Sequence, residues 1–105
     1  MTNEDFSVYF TERFNEISQL RERKAKEYTK ENAFENFEKA SKFLSIPREK
    51  AALYYMTKHI ISLKDIIEHK DNLHLLKEKT NDMVIYLILL EAMLLEEMEN
   101  DKVNL

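Results

Sequence analysis

The amino-acid sequence predicts an all-α protein, a compact antiparallel bundle of about four helices. The 105 residues include no glycine and only one proline, so residues that interrupt helices are rare. Apolar residues recur at spacings of three and four along most of the chain, which is the period of an amphipathic helix. The most apolar stretch, residues 82–95, has charged helix formers on both sides, and these favour a buried helix over a strand.

Short polar stretches divide the chain into its predicted helices. Ser45 and Pro47 mark one boundary, with Ser45 as a cap and the proline in the first turn of the next helix. A second boundary lies after residue 69, where Asp71 or Asn72 caps the last helix. Connections this short indicate antiparallel neighbours. The predicted helices cover residues of about 3–28, 30–44, 47–69 and 73–98.

Length and composition limit the protein class. A chain of 105 residues is expected to form one domain, residues 1–105. The absence of cysteine excludes disulfides and cysteine-based zinc sites. A net charge of −4 argues against direct binding to nucleic acid, which needs clustered basic residues. No apolar run is long enough to cross a membrane, and no signal peptide is visible, so we expect a cytoplasmic protein.

Two polar features of the last two helices are candidates for chemistry. His74, Glu78 and Asp82 follow one another at intervals of four, so they share one helix face. This row can present metal or phosphate ligands, or it can simply be a solvated face. Asp82 also borders the apolar run, where Lys58 of the preceding helix is within reach. That pair is either a structural ion pair or part of a ligand site at the centre of the bundle.

The apolar excess of the last helix predicts self-association. One core in a chain of this length need not use all of its apolar side chains, and surplus apolar surface usually marks an interface. We therefore expect a homo-oligomer that assembles through helix 4. The residues expected to contribute are Ile85, Leu89, Leu90, Met93 and Leu94.

Four segments, in order, resemble a known family. They are the Lys-rich end of helix 1 at residues 24–28, the pair Asn36-Phe37, the central Lys58 of helix 3, and Asp82 followed four residues later by Tyr86. In this the chain resembles the phage proteins known as nucleotide-modification-associated domains. Residues 78–87 are more distantly similar to the MazG-like all-α nucleoside triphosphate pyrophosphatases. The similarity covers about residues 24–95.

The resemblance implies an oligomeric helical bundle that handles nucleotides in a host cytoplasm. It implies Mg²⁺ held by carboxylates and, in an active enzyme, hydrolysis to a monophosphate and pyrophosphate. Here Lys79 stands where the MazG pattern has an acidic residue, and Thr29 follows Tyr28 where a glycine is expected. The ligand set is thus incomplete, and no catalytic residue is assigned. The implied nucleotide-binding residues are Tyr28, Asn36, Phe37, Lys58 and Tyr86, and the implied metal ligands are Glu78 and Asp82.

A different class of function is also compatible with the sequence. Small size, negative charge and surplus apolar surface suit a non-catalytic interaction protein, such as a phage factor that binds and inhibits a host or defence protein. The partner is then a protein rather than a nucleotide.

Overall fold

The computed structural model describes residues 1–27 and 32–103, which form four helices and contain no strand. The all-α prediction is therefore confirmed. α1 forms one compact unit, and α2 to α4 form a second, so the two are described separately. The prediction of a single domain stays a prediction. The helices are α1 (Asn3–Glu27), α2 (Glu35–Leu44), α3 (Arg48–His69) and α4 (Leu73–Val103).

The helix boundaries differ from the predicted ones at α2 and α4. The predicted end of helix 1 at residue 28 and start of helix 2 at residue 30 lie outside the described residues. α2 begins only at Glu35, because the Asn32 side chain accepts the Phe34 N–H at 2.9 Å and holds a turn there. α4 continues to Val103, beyond the predicted end near residue 98. None of the described helices combines the length and apolar character that crossing a bilayer requires.

Three residues in the connections adopt the left-handed conformation without glycine. Ser45 (φ 56°) ends α2 with its N–H bonded to the Ser41 carbonyl, so it does not cap α3 as predicted. Pro47 is instead the residue before α3. Lys70 (φ 52°) ends α3, and Asn72 (φ 58°) precedes α4. The Asn72 side chain accepts the Leu75 N–H at 3.1 Å, which confirms its prediction as a cap.

The start of α1 is capped by the residue before the helix and by a residue of its first turn. The Thr2 hydroxyl accepts the Asp5 N–H and the Asp5 carboxylate accepts the Thr2 N–H, both at 3.1 Å, so two donors at the helix start are satisfied. One turn apart along the helix, Phe6, Phe10 and Phe14 have ring centres 6.1 and 5.7 Å from each other. All three rings are about half exposed. α1 therefore presents an aromatic row on its surface.

The core of the second unit lies where α2 meets α3 and α4. Phe37, Ala52 and Met93 form its buried centre. The methyl side chain of Ala52 is fully buried and lets the two long helices approach closely. Met93 is also fully buried, and Leu89 and Leu90 pack against this cluster. Three of the five residues expected at an oligomer interface thus belong to the core of the monomer.

Contacts along α3 and α4 show that the two helices are antiparallel. Arg48, at the start of α3, lies 3.3 Å from Glu97 near the end of α4. Further along, His59 of α3 lies 4.0 Å from Asp82, which is well before Glu97 on α4. Residue numbers rise on one helix as they fall on the other, as the short connection predicts.

Arg48 joins all three helices of this unit. Its guanidinium contacts Glu38 of α2 at 3.1 Å, its neighbour Glu49 at 3.6 Å, and Glu96 and Glu97 of α4 at 3.3 Å each. It also lies 5.1 Å from the centre of the Phe34 ring. Burial alone would lower the pKa of Arg48, but the hydrogen bonds and charges of Glu96 and Glu97 outweigh it and raise that pKa. The cation therefore stays charged among carboxylates that would otherwise repel one another.

We expect Arg48→Met to lower the free energy of unfolding by about 1–3 kcal/mol, because it removes charge-assisted hydrogen bonds and leaves the carboxylates without their shared cation. In a domain of this size each kcal/mol corresponds to about 4–8 °C in Tm. Thermal unfolding followed by circular dichroism measures the change. Lys50→Met, on the exposed side of the same helix, is the matched control. Equal melting temperatures for the two variants would contradict this role of Arg48.

Candidate functional site

A groove opens beside the core, between α2 and the α3–α4 pair. It has a volume of about 510 Å³, which is within the range of small-molecule sites. α2 contributes one wall and Tyr55, Tyr86 and Leu89 contribute the other. The residues that line it are Ala33, Asn36, Phe37, Lys39, Ala40, Phe43, Leu44, Tyr55, Tyr86 and Leu89.

Three aromatic rings from three helices meet at the base of this groove. The ring centre of Phe37 lies 5.8 Å from that of Tyr55 and 5.6 Å from that of Tyr86. The two tyrosine rings are 6.4 Å apart and nearly parallel, with 29° between their planes. Phe37 is buried, whereas both tyrosines are partly exposed. The groove therefore offers aromatic surface to a ligand while the same rings stabilise the core.

Polar groups stand at the rim of the groove. Asn36 and Lys39, one turn apart on α2, are both exposed and line it. The Lys39 ammonium lies 3.1 Å from the partly exposed Glu35, and the lysine itself is exposed to solvent. Lys58 is not among the lining residues, but its Nζ lies 5.9 Å from the centre of the Tyr55 ring. An amide and one cation thus line the groove, and a second cation lies beside the Tyr55 ring.

His59 and Asp82 form a half-buried polar pair next to the aromatic cluster. His59 Nδ1 lies 4.0 Å from Asp82 Oδ2, and its ring centre lies 5.4 Å from that of Tyr86. Among the residues that the structure describes, none is within hydrogen-bond distance of this buried Nδ1 atom. Burial lowers the pKa of His59, and the charges of Lys79 and Lys58 lower it further, while Asp82 opposes them. The imidazole is therefore neutral at neutral pH.

The proposed metal ligands lie on one face of α4, one turn apart. Glu78 is exposed and lies 3.0 Å from His74 Nε2, while Asp82 is half-buried beside His59. Within residues 1–27 and 32–103, no three His, Asp or Glu side chains are placed to hold a metal ion. Two carboxylates can still hold Mg²⁺ when phosphate oxygens of a ligand complete its coordination. The pair therefore fits a magnesium ion only in company with a phosphorylated ligand.

The structure brings together part of the site implied by the sequence. Asn36, Phe37 and Tyr86 line one groove, and Lys58 lies beside its wall. Asp82 lies 4.0 Å from His59, the residue next to Lys58. The pairing of Asp82 with Lys58 stays a prediction. Tyr28 lies outside the described residues.

Three residues of the site were missed by sequence reasoning. Lys39 is three positions from Asn36, and Tyr55 is three positions from Lys58. Helical spacing could therefore have suggested both residues. His59 had only its position in helix 3 as a signal.

We expect the free energy of unfolding to fall as the pH drops from about 7.5 to about 5.5, in part because of His59. Its folded pKa is lowered, so below about pH 6.5 the unfolded chain takes up a proton that the folded chain does not. His59→Gln should flatten this dependence. Urea unfolding across the pH range measures it.

His74→Gln is the matched control, because His74 is exposed and lies outside the groove. If the His59 and His74 variants change the pH dependence equally, burial of His59 is not its cause.

Comparison with protein-family models, curated proteins and solved structures found no match. The similarity to nucleotide-modification-associated domains and to MazG-like enzymes is carried only by the residues quoted from the sequence. What it implies about activity is therefore a hypothesis.

Proposed function

We propose that the groove between α2 and the α3–α4 pair binds a nucleotide. The observation that carries this proposal is the meeting of Phe37, Tyr55 and Tyr86 at the groove floor, within 6.4 Å of one another. A nucleobase is planar and stacks on such rings, and each stacked base contributes about 1–3 kcal/mol to binding. The groove volume of about 510 Å³ suits a molecule of this size.

The polar rim suits the remaining parts of a nucleotide. The Asn36 amide offers both a donor and an acceptor to a base edge or a ribose. Lys39 lines the groove and Lys58 lies beside Tyr55, so both bring positive charge near the aromatic floor, where phosphate oxygens need compensation. The family resemblance, which implies nucleotide binding at Asn36, Phe37, Lys58 and Tyr86, supports the same ligand class.

Magnesium has a subordinate place in this proposal. Glu78 and Asp82 would hold the ion together with phosphate oxygens, and the ion would neutralise phosphate charge there. A complete pyrophosphatase ligand set is not part of the proposal, because Lys79 occupies the position of an expected acidic ligand. We therefore propose binding, with no catalytic residue, as the function of this groove.

A second candidate function is that of an interaction protein. The exposed aromatic row of α1, formed by Phe6, Phe10 and Phe14, favours it, since exposed aromatic side chains are enriched at interfaces. With a net charge of −4, such a protein suits a basic surface on a host or defence protein. A protein of this kind would bind its partner whether or not nucleotides are present.

We expect calorimetric titration with a panel of mono-, di- and triphosphate nucleotides to show saturable binding. Lys39→Ala should weaken it about tenfold, the equivalent of about 1.4 kcal/mol for a lost charge-assisted contact. Ala33→Trp should abolish it by filling the groove.

The control for this titration is Lys42→Ala, which removes a lysine of the same helix that does not line the groove. Absence of heat with every nucleotide would contradict the proposal and favour the interaction protein. Unchanged affinity in the Ala33→Trp variant, with the fold intact, would place the ligand elsewhere.

Magnesium dependence gives a separate prediction. If Asp82 holds the ion, Mg²⁺ should increase affinity for a triphosphate, and Asp82→Ala should remove that increase while the metal-independent binding remains. Titrations with and without Mg²⁺ measure the increase in affinity and the metal-independent binding. Asp65→Ala, an exposed carboxylate of α3, is the control. An increase that persists in the Asp82 variant would exclude Asp82 as a ligand.

A further inference from the structure

Phe43 contributes to the groove a ring that packs little against the fold. It lines the groove near the end of α2, and 89% of its surface is exposed. Phe37, which lines the same groove from the same helix, is by contrast 3% exposed and belongs to the core. A ring that is exposed within a groove is available to a ligand. A base that stacks on Tyr55 and Tyr86 at the groove floor leaves this ring unused.

Phe43 and the groove floor are too far apart to hold the same base. Six residues of α2 separate Phe43 from Phe37, which corresponds to about 9 Å along the helix axis. Phe43 also points about 120° away from Phe37 around that axis, toward the rim of the groove. Bases that stack on one another in a strand are only about 3.4 Å apart. A ligand that reaches both positions therefore carries two planar groups that are not stacked on each other.

Lys39 lies between these two positions along α2. It is about 3 Å beyond Phe37 and about 6 Å before Phe43 along the helix axis, and it lines the groove as they do. Its direction from the axis is within about 40° of that of Phe43, so both residues belong to the rim. The Lys39 ammonium contacts Glu35 at 3.1 Å, but it has three donors and can bind a phosphate oxygen as well. A cation thus stands between the two places where a planar group can stack.

The charge of the groove suits a ligand with one phosphate between its two planar groups. Among the described residues that line the groove, Lys39 is the one cation. A phosphodiester carries a single negative charge, which one ammonium compensates. A longer strand would add a negative charge with every nucleotide, and a protein with a net charge of −4 opposes that addition. Two linked nucleosides therefore match this groove better than a polymer does.

We propose that the groove binds a dinucleotide, in which two nucleosides are joined by one phosphodiester. One base stacks on Tyr55 and Tyr86 at the floor, the other stacks on Phe43, and Lys39 binds the phosphate between them. Proteins commonly hold short single-stranded segments in this way, with separated bases on aromatic side chains. This inference rests on the proposed nucleotide-binding function and adds to it the class of nucleotide.

Calorimetric titration of the full chain with one-base and two-base ligands tests the role of Phe43. The two-base ligand is a pair of adenosines joined by one phosphodiester, the one-base ligand is adenosine monophosphate, and the corresponding uridine compounds are titrated alongside. We expect the two-base ligand to bind about tenfold more tightly, because a second base is stacked. Phe43→Ala should remove this advantage and leave the affinity for the monophosphate unchanged. Tyr54→Ala, which removes an exposed ring of α3 that does not line the groove, is the matched control.

A dinucleotide with an uncharged link tests the place of the phosphate. When a methylphosphonate replaces the phosphodiester, wild-type affinity should fall about tenfold, because Lys39 loses a charge-assisted hydrogen bond. The Lys39→Ala variant should bind the charged and uncharged dinucleotides equally. If that variant still distinguishes them by tenfold, the phosphate does not lie at Lys39 and the proposed arrangement is wrong.

The monophosphate titration separates this inference from the function on which it rests. If the monophosphate binds and the dinucleotide binds no more tightly, the second stacking position is excluded while nucleotide binding stands. An advantage of the dinucleotide that persists in Phe43→Ala, or that Tyr54→Ala removes, would also overturn the inference. If none of the ligands binds, both the inference and the proposed function are wrong. Circular dichroism verifies that each variant is folded, and the exposure of Phe43 means that its replacement removes little packing.

Discussion

The α2–α4 unit depends most on the guanidinium of Arg48. Four carboxylates from three helices lie within 3.6 Å of it, and no apolar contact could hold so many negative groups in one place. A side-chain hydrogen bond with Glu97 lowers the pKa of Glu49, and the same hydrogen bond raises that of Glu97. The register of α3 against α4 follows from this cluster, and the aromatic groove follows from the register.

The sequence allowed the helices to be predicted but not the pairing of their polar side chains. Helical spacing and the polar turn at Asn72 are local signals, so the number of helices and one cap agree with the structure. Arg48 meets Glu38 and Glu97 across 10 and 49 positions, and no local pattern encodes those distances. α2 starts later than expected because a side-chain turn at Asn32 replaces its first helical residues.

The site could be predicted only in part, for a geometric reason. Apolar residues surround α4, so its sequence does not indicate which side faces α3. Neighbouring residues of a helix differ by about 100° in direction, so spacing alone did not indicate that His59 lies beside Asp82. Asn36, Phe37 and Tyr86 were selected by resemblance, and they do line one groove. Lys39 and Tyr55 complete it through packing that only the assembled helices create.

The residues in the left-handed conformation at the helix ends affect which substitutions this protein tolerates. Ser45, Lys70 and Asn72 hold positive φ angles in a chain without glycine. For a residue with a side chain, that conformation costs roughly 1 kcal/mol, which glycine would avoid. Glycine at Ser45 or Lys70 can thus add stability without touching the core or the groove, whereas glycine at Asn72 would remove the cap of α4. Substitutions that adapt the groove to a new ligand are tolerated more readily when glycine at Ser45 or Lys70 accompanies them.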